Sequence, residues 1–168
     1  IILLKENGQI LDSIKRVTSK ISRHRELLPG KEYCQPPEQG KRNPLTTNSK
    51  EFNQLLKECF EQKLYQAIMN NYRGISPLIA REIVHRSNLS PQNLLTTSSQ
   101  IEQLWPQFKK IFTQIKANDF QPTLVIDKDN NFKAYAAFDL KQFYLPKEEF
   151  SSTNKLMDKY FTERIVRK

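Results

Sequence analysis

The chain has 168 residues and a formal net charge of +9, with 38% hydrophobic residues, 10 Phe and 6 Tyr. That length buries most of its apolar surface in one or two small domains, and that composition excludes a wholly disordered chain. The charge predicts attraction to polyanions such as nucleic acid. The two cysteines, Cys34 and Cys59, form neither a disulfide framework nor a zinc spacing, which fits a reducing cytoplasm. No apolar run approaches the roughly 18 residues of a membrane span. The opening "IILL" is too short for a signal-peptide core and leads at once to Lys5-Glu6, so it reads as a strand, and the initial Ile suggests a fragment of a longer polypeptide.

Residues 1–17 predict a β-hairpin in which "IILL" and "QILDSIKRV" flank the turn "KENG", with Asn7-Gly8 as the turn signal. Residues 18–46 hold four of the nine prolines and two of the four glycines, and read as a long ordered loop. Phe52, Leu55, Leu56, Cys59, Phe60, Leu64, Ala67, Ile68 and Tyr72 recur at steps of three and four and predict one helix over 49–72. Asn48 and Glu51 form its capping box, and Gly74 stops it. Ser76 then caps a second helix with Pro77 at its first position, burying Ile79, Ala80, Ile83 and Val84 and turning Arg81, His85 and Arg86 mostly outward. A third helix is expected after a Ser99–Glu102 capping box, carried by Ile101, Leu104, Trp105, Phe108, Ile111, Phe112 and Ile115, with Pro106 kinking or restarting it. "TLVID" and "FKAYAAFDL" predict two strands joined through "KDNN". From Ser151 a last helix is expected through Leu156, Met157, Tyr160, Phe161 and Ile165, running into "ERIVRK" without a stop signal. The fold class is α+β, with expected divisions at 1–46, 47–118, 119–150 and 151–168.

Catalysis finds no footing in these residues. His24 and His85 are the only histidines, neither in a metal-ligand spacing, and His85 pairs on a helix surface with Glu82. No phosphate-binding loop or dinucleotide fingerprint is present, so neither catalytic residues nor a metal or cofactor are expected. Two basic features point instead to binding. From Ser13 to Arg42, Lys15, Arg16, Lys20, Arg23, Arg25, Lys31, Lys41 and Arg42 stand against Glu26, Glu32 and Glu38. Guanidinium forks among prolines and Tyr33 suit RNA phosphate, while a solvated loop is the plain alternative. The second feature is the corner Arg73-Gly74-Ile75-Ser76, where N–H groups at the start of a helix favour an anion and Arg73 and Arg81 could assist. Ser76 stands where nucleic-acid-binding helix–hairpin–helix corners carry a second Gly, so a phosphate site and a plain packing corner both remain open.

"ILDSIKRVTSKISRHRELLPGKEYCQPPEQGKRNPL", then "GISPLIAREIVHRSNL", the strand pair and "LMDKYF" resemble, in order, the N-terminal NFACT module of the RqcH/NEMF family, long labelled fibronectin-binding protein A. The most specific stretches are "RELLPGKEY…PP" and "GISPLIARE", and the likeness runs over essentially the whole chain. It implies a β-hairpin remnant of a glycosylase-like β domain, a helix–hairpin–helix domain, a second β-hairpin and the start of a coiled-coil helix. It also implies a cytoplasmic ribosome quality control factor that binds the stalled large ribosomal subunit and tRNA and promotes alanine tailing. The family's Asp-Arg pair for tRNA recognition has no matching position, and its coiled coil and later RNA-binding domain are expected beyond Lys168. The older label implies a different partner, fibronectin, and an adhesin; a DNA-repair-like helix–hairpin–helix module is a third reading. Salt-sensitive RNA binding separates the first from the second.

Overall fold

The computed structural model describes residues 1–166, with side chains as far as Arg164. The protein is α+β: among the described residues there are five helices and two small antiparallel sheets. It divides into two compact units, residues 1–40 and residues 41 onward.

In the first unit β1 (Ile2–Leu4) and β2 (Ile10–Ser13) pair antiparallel, as expected from the turn signal. Gly8 sits at φ +81° and its N–H donates to Lys5 O at 2.9 Å, closing the turn. The second strand stops at Ser13 rather than reaching Val17. Val17 instead exchanges two backbone hydrogen bonds with Leu27, and Ile10 takes a bond from Gly30, so the Pro-rich loop folds back on the hairpin. Ile10 and Leu27 are buried, while Ile1, Leu3, Leu11, Ile14 and Ile21 are exposed.

The second unit holds the main core. Helix α1 (Ser49–Lys57) opens with the expected box: Asn48 Oδ1 accepts from Glu51 N at 3.0 Å and Glu51 Oε2 accepts from Asn48 N at 3.2 Å. The single helix expected over 49–72 is two. After α1 the chain turns through Glu61 at φ +71° and restarts as α2 (Leu64–Asn71). The backbone of the break pairs with a distant strand-like segment: Glu61 N and Leu64 N donate to Leu95 O and Asn93 O, and Leu95 N donates to Gln62 O. That pairing satisfies polar groups a continuous helix would have bonded internally, and it leaves Phe60 exposed rather than buried. Helix α3 (Pro77–Arg86) starts as expected, with Ser76 Oγ accepting from Ile79 N at 3.3 Å. Helix α4 (Ser98–Lys116) is capped two residues earlier than expected, by Thr97 with Gln100 rather than Ser99 with Glu102. It runs through Pro106 without a restart. Phe52, Tyr72, Phe108 and Phe112 form an aromatic centre among α1, α2 and α4, with successive ring centroids 4.7–4.8 Å apart along Phe52–Phe108–Phe112 and Tyr72–Phe108.

Strands β3 (Thr123–Ile126), β4 (Phe132–Ala136) and β5 (Lys147–Glu149) make an antiparallel sheet in the order β4-β3-β5. The expected hairpin thus has a third strand. Its sequence, Lys-Glu-Glu, carries no apolar alternation, because it is an edge strand held by the backbone ladder to Thr123–Val125. The expected strand through Leu140 ends at Ala136, since the backbone of 139–142 turns away to bond side chains of α3. Glu82, fully buried, accepts from Lys141 N at 2.9 Å and Gln142 N at 3.0 Å and from Arg86 Nε at 2.6 Å, while Arg86 also donates to Asp139 O. Arg86 is therefore largely buried, not turned outward, and Glu82 does not form a surface pair with His85. Helix α5 (Thr153–Val166) lays buried Leu156 inward and stacks Tyr160 on Tyr135 (centroids 4.4 Å) and Phe132. The expected continuation at Arg167 and Lys168, and the side chain of Ile165, lie outside the described residues.

Candidate nucleic-acid interface

The structure sorts the expected basic residues into two groups. In the first unit Arg16 makes an open ion pair with Asp12 at 3.7 Å, and Arg25 donates to Cys34 O at 3.4 Å. Lys20 and Arg23 make no hydrogen bond or ion pair with a side chain among the described residues, and both are exposed. Glu26 is taken by Lys31 at 3.1 Å and by Ser19 N at 3.1 Å, and those bonds, Lys31 first, hold its carboxyl below the usual range. Among the described residues Arg23 and Arg25 are therefore not paired with a carboxylate, whereas Arg16 is. Ser19, Ser22, Arg23, His24 and Arg25 line one open depression with Glu26, Lys31 and Glu32; its arginines can take phosphate oxygens through charge-assisted hydrogen bonds, although two carboxylates share the surface.

Lys41 and Arg42 belong to the second unit, and they are fastened to the corner between α2 and α3. Arg42 N donates to Asn71 O at 2.8 Å and Arg73 N donates to Arg42 O at 3.0 Å, a two-bond bridge. Lys41 Nζ donates to Met69 O at 3.1 Å, satisfying a carbonyl at the end of α2. Arg42, Arg73, Gly74 and Ser76 are exposed, whereas the Ile75 side chain is buried and anchors the corner. Gly74 takes φ +74°, the left-handed turn that lets the chain reverse between the helices. The N–H groups of Gly74, Ile75 and Ser76 make no hydrogen bond among the described residues. At the start of α3 itself Pro77 has no N–H, Ile79 N is taken by Ser76 and Ala80 N by the Ser76 carbonyl. Any anion here would thus be met by the corner's own backbone, with Leu78 N the one first-turn donor of α3 left without a bond among the described residues. Arg81 is half-buried, with its guanidinium 4.8 Å from the Tyr65 ring centroid, and it is not brought to the corner by any hydrogen bond.

One feature of this region had no sequence signal. Tyr72, at the end of α2, is fully buried and reads as core from its helical spacing, yet its hydroxyl has no hydrogen-bond partner. Burial pushes that hydroxyl up to about 12, and the neighbouring Thr47 side chain, which itself donates to Asn43 O at 2.9 Å, pulls it part of the way back. Tyr72 lines a cavity of about 100 Å³ together with Arg42, Thr47 and the Glu51, Gln54, Leu55 and Glu58 side of α1. Among the described residues no three His, Cys, Asp or Glu side chains gather as a metal site, and no helix is long and apolar enough to cross a membrane.

A two-stranded ribbon with a basic loop in one unit, and helices that close on a three-stranded sheet in the other, define a recognisable class of α+β module. The family described as NFACT N-terminal and middle domains matches residues 1–168, and the chain belongs to that family. It is 28% identical over 158 residues to the Rqc2 homolog RqcH of Bacillus subtilis, covering 94% of this chain and 26% of that protein. It is 26% identical over 150 residues to the archaeal Rqc2 homolog aRqcH of Methanocaldococcus jannaschii, covering 85% of this chain and 22% of that protein. The chain thus spans about a quarter of the length of these relatives. Among solved structures it is similar to the fibrinogen binding protein from Staphylococcus aureus, with a TM-score of 0.72 and 25% identity over 95% of this chain and 54% of that one. It is also similar to the N-terminal part of the fibronectin/fibrinogen-binding protein from Streptococcus suis, with a TM-score of 0.66 and 26% identity over 96% of this chain and 52% of that one.

Proposed function

We propose that this chain is the RNA- and ribosome-binding part of a cytoplasmic ribosome quality control factor, one that engages stalled large ribosomal subunits and tRNA and promotes alanine tailing. The observation that carries the RNA reading is the corner at Arg73–Ser76. Three backbone N–H groups there make no hydrogen bond among the described residues, and the main chain of exposed Arg42 is hydrogen-bonded to Asn71 and Arg73. Preset backbone donors flanked by guanidinium groups meet phosphate oxygens without reorganisation. The Lys20–Arg25 loop supplies a second basic surface. The likeness to the RqcH relatives supports the ribosomal setting, and α5 is, in this reading, the start of a coiled coil. The module binds; it assigns no turnover of its own to any residue.

The names of the two solved relatives favour a second reading, adhesion to fibronectin or fibrinogen. Affinity purification of the full-length parent from cells under translational stress separates the two. Large-subunit rRNA and tRNA in the eluate, released by raised salt, is the expected result. An eluate free of both, with protein exposed on intact cells and salt-resistant binding to fibronectin, would establish the adhesin instead.

A further inference from the structure

We propose that Tyr144 is a stacking platform for one unpaired base of a bound RNA strand, with Arg81 and Lys141 beside it for the phosphates. This inference rests on the RNA reading above and extends it from the α2–α3 corner to the other end of α3.

Tyr144 stands 90% exposed on the segment between β4 and β5, and its hydroxyl makes no hydrogen bond among the described residues. A lone exposed side chain is ordinary, but this ring is held out by a segment fixed on both sides of it. Upstream, Leu140 is fully buried, Glu82 accepts from Lys141 N and Gln142 N, and Gln142 Nε2 donates to Leu78 O at 3.0 Å. On either side of the ring, Phe143 and Leu145 pack against the core. His85, near the end of α3, meets Tyr144 edge to face, with ring centroids 5.9 Å apart. The ring is therefore oriented as well as exposed, and burial gives no reason for an aromatic residue here. A ring already held in place loses little freedom when a ligand covers it.

The charges around it favour an anion. Arg81 lies one turn before His85 on the same face of α3. Its guanidinium sits 4.8 Å from the Tyr65 ring centroid and has no ion pair or hydrogen bond among the described residues. The Lys141 side chain is exposed and likewise uncommitted there. The carboxylates of α3 and of this segment do not oppose them: Glu82 is buried with Arg86, and Asp139 is taken by Lys147 at 2.8 Å. Rings interleaved with uncommitted cations suit single-stranded nucleic acid, whose bases stack while its phosphates take the cations. A double helix keeps its bases stacked on one another, and an acidic peptide would use the cations and leave the ring idle. Pro77 to His85 spans about 12 Å of α3, so a strand held by its phosphates at the corner reaches Tyr144 within a few nucleotides.

The test uses the 168-residue chain and two probes of about eight nucleotides, an oligoadenylate and an abasic ribose-phosphate oligomer of the same length and charge. The oligoadenylate should bind about tenfold tighter, the contribution of one base stacked on an aromatic side chain. Tyr144→Ala should remove most of that difference and leave the abasic affinity where it was, whereas Tyr144→Trp should keep it. Both variants should melt with wild type, because an exposed ring carries little of the core; this separates lost stacking from lost folding. Lys141→Gln should make the log–log salt slope shallower by about 0.7 for both probes. An oligoadenylate affinity unchanged in Tyr144→Ala overturns the platform and leaves RNA binding standing. An oligoglutamate that binds with the same dependence on Tyr144 also overturns it and assigns the surface to an acidic peptide. An unchanged slope in Lys141→Gln overturns the placement of the phosphates. If neither oligomer binds wild type, the RNA reading falls and the platform falls with it.

Discussion

Glu82 is the residue whose role the sequence most disguised. It sits in an amphipathic helix between apolar positions, where a carboxylate normally reaches water. The structure buries it completely and gives it three donors, Arg86 and the N–H groups of Lys141 and Gln142. It thereby ties α3 to the chain that leaves the sheet after β4. Removing one partner of such a pair leaves an uncompensated buried charge, which is far more destabilising than the pair itself is stabilising. Glu82→Ala should lower unfolding stability by about 3–5 kcal/mol in urea titration. A loss below about 1 kcal/mol would mean that water replaces the carboxylate, and that the network is not what holds residues 139–142. At the other pole, Gly74 was legible from the start: a lone Gly between two helical periods followed by Ser-Pro demands a left-handed residue, and the structure places it at φ +74°.

At the scale of elements, local chemistry predicts starts better than lengths. The Asn48–Glu51 box and the Ser76-Pro77 start were readable because a cap involves only the next three residues. The division of the 49–72 stretch into α1 and α2 was not, since the apolar period survives the break and its cause is pairing with residues 93–95. The β3–β4 turn shows the same local legibility. Asp127 accepts from Asn131 N at 2.8 Å and Asp129 N at 3.0 Å, and these bonds, Asn131 first, hold its carboxyl below the usual 3.8. A carboxyl depressed in the folded state adds stability above its unfolded value, and that stability is lost as pH falls through the folded value. Asp127→Asn should therefore melt below wild type near pH 7, with the gap closing as pH drops below the ordinary carboxylate range. A gap that stays constant with pH would assign the effect to turn geometry rather than to charge.

For the whole molecule, the question is whether the basic surface works through counterion release. Among the described residues Arg23 and Arg25 have no carboxylate partner, so their charge is available to a polyanion. RNA binding by the chain should weaken with salt along a log–log slope of about −0.7 to −0.9 per neutralised phosphate. Replacing Arg23 and Arg25 together by Gln should make that slope shallower by about one to two such units, with little change in melting temperature. A lowered melting temperature with an unchanged slope would assign these arginines to stability and take the loop out of the interface.

The sequence by itself determined the α+β class, the opening hairpin, the starts of α1 and α3, the Gly74 corner and the family resemblance. Each of these is written in residues close together along the chain, or in motifs that recur in order. The tertiary structure alone decided the rest. It broke one expected helix in two and added β5 to the sheet. It moved Lys41 and Arg42 from the basic loop to the corner, and it turned Glu82 and Arg86 inward. It also buried the Tyr72 side chain completely. The common physical reason is that buried backbone and charged groups must find partners. Those partners are often tens of residues away, so no local periodicity announces them.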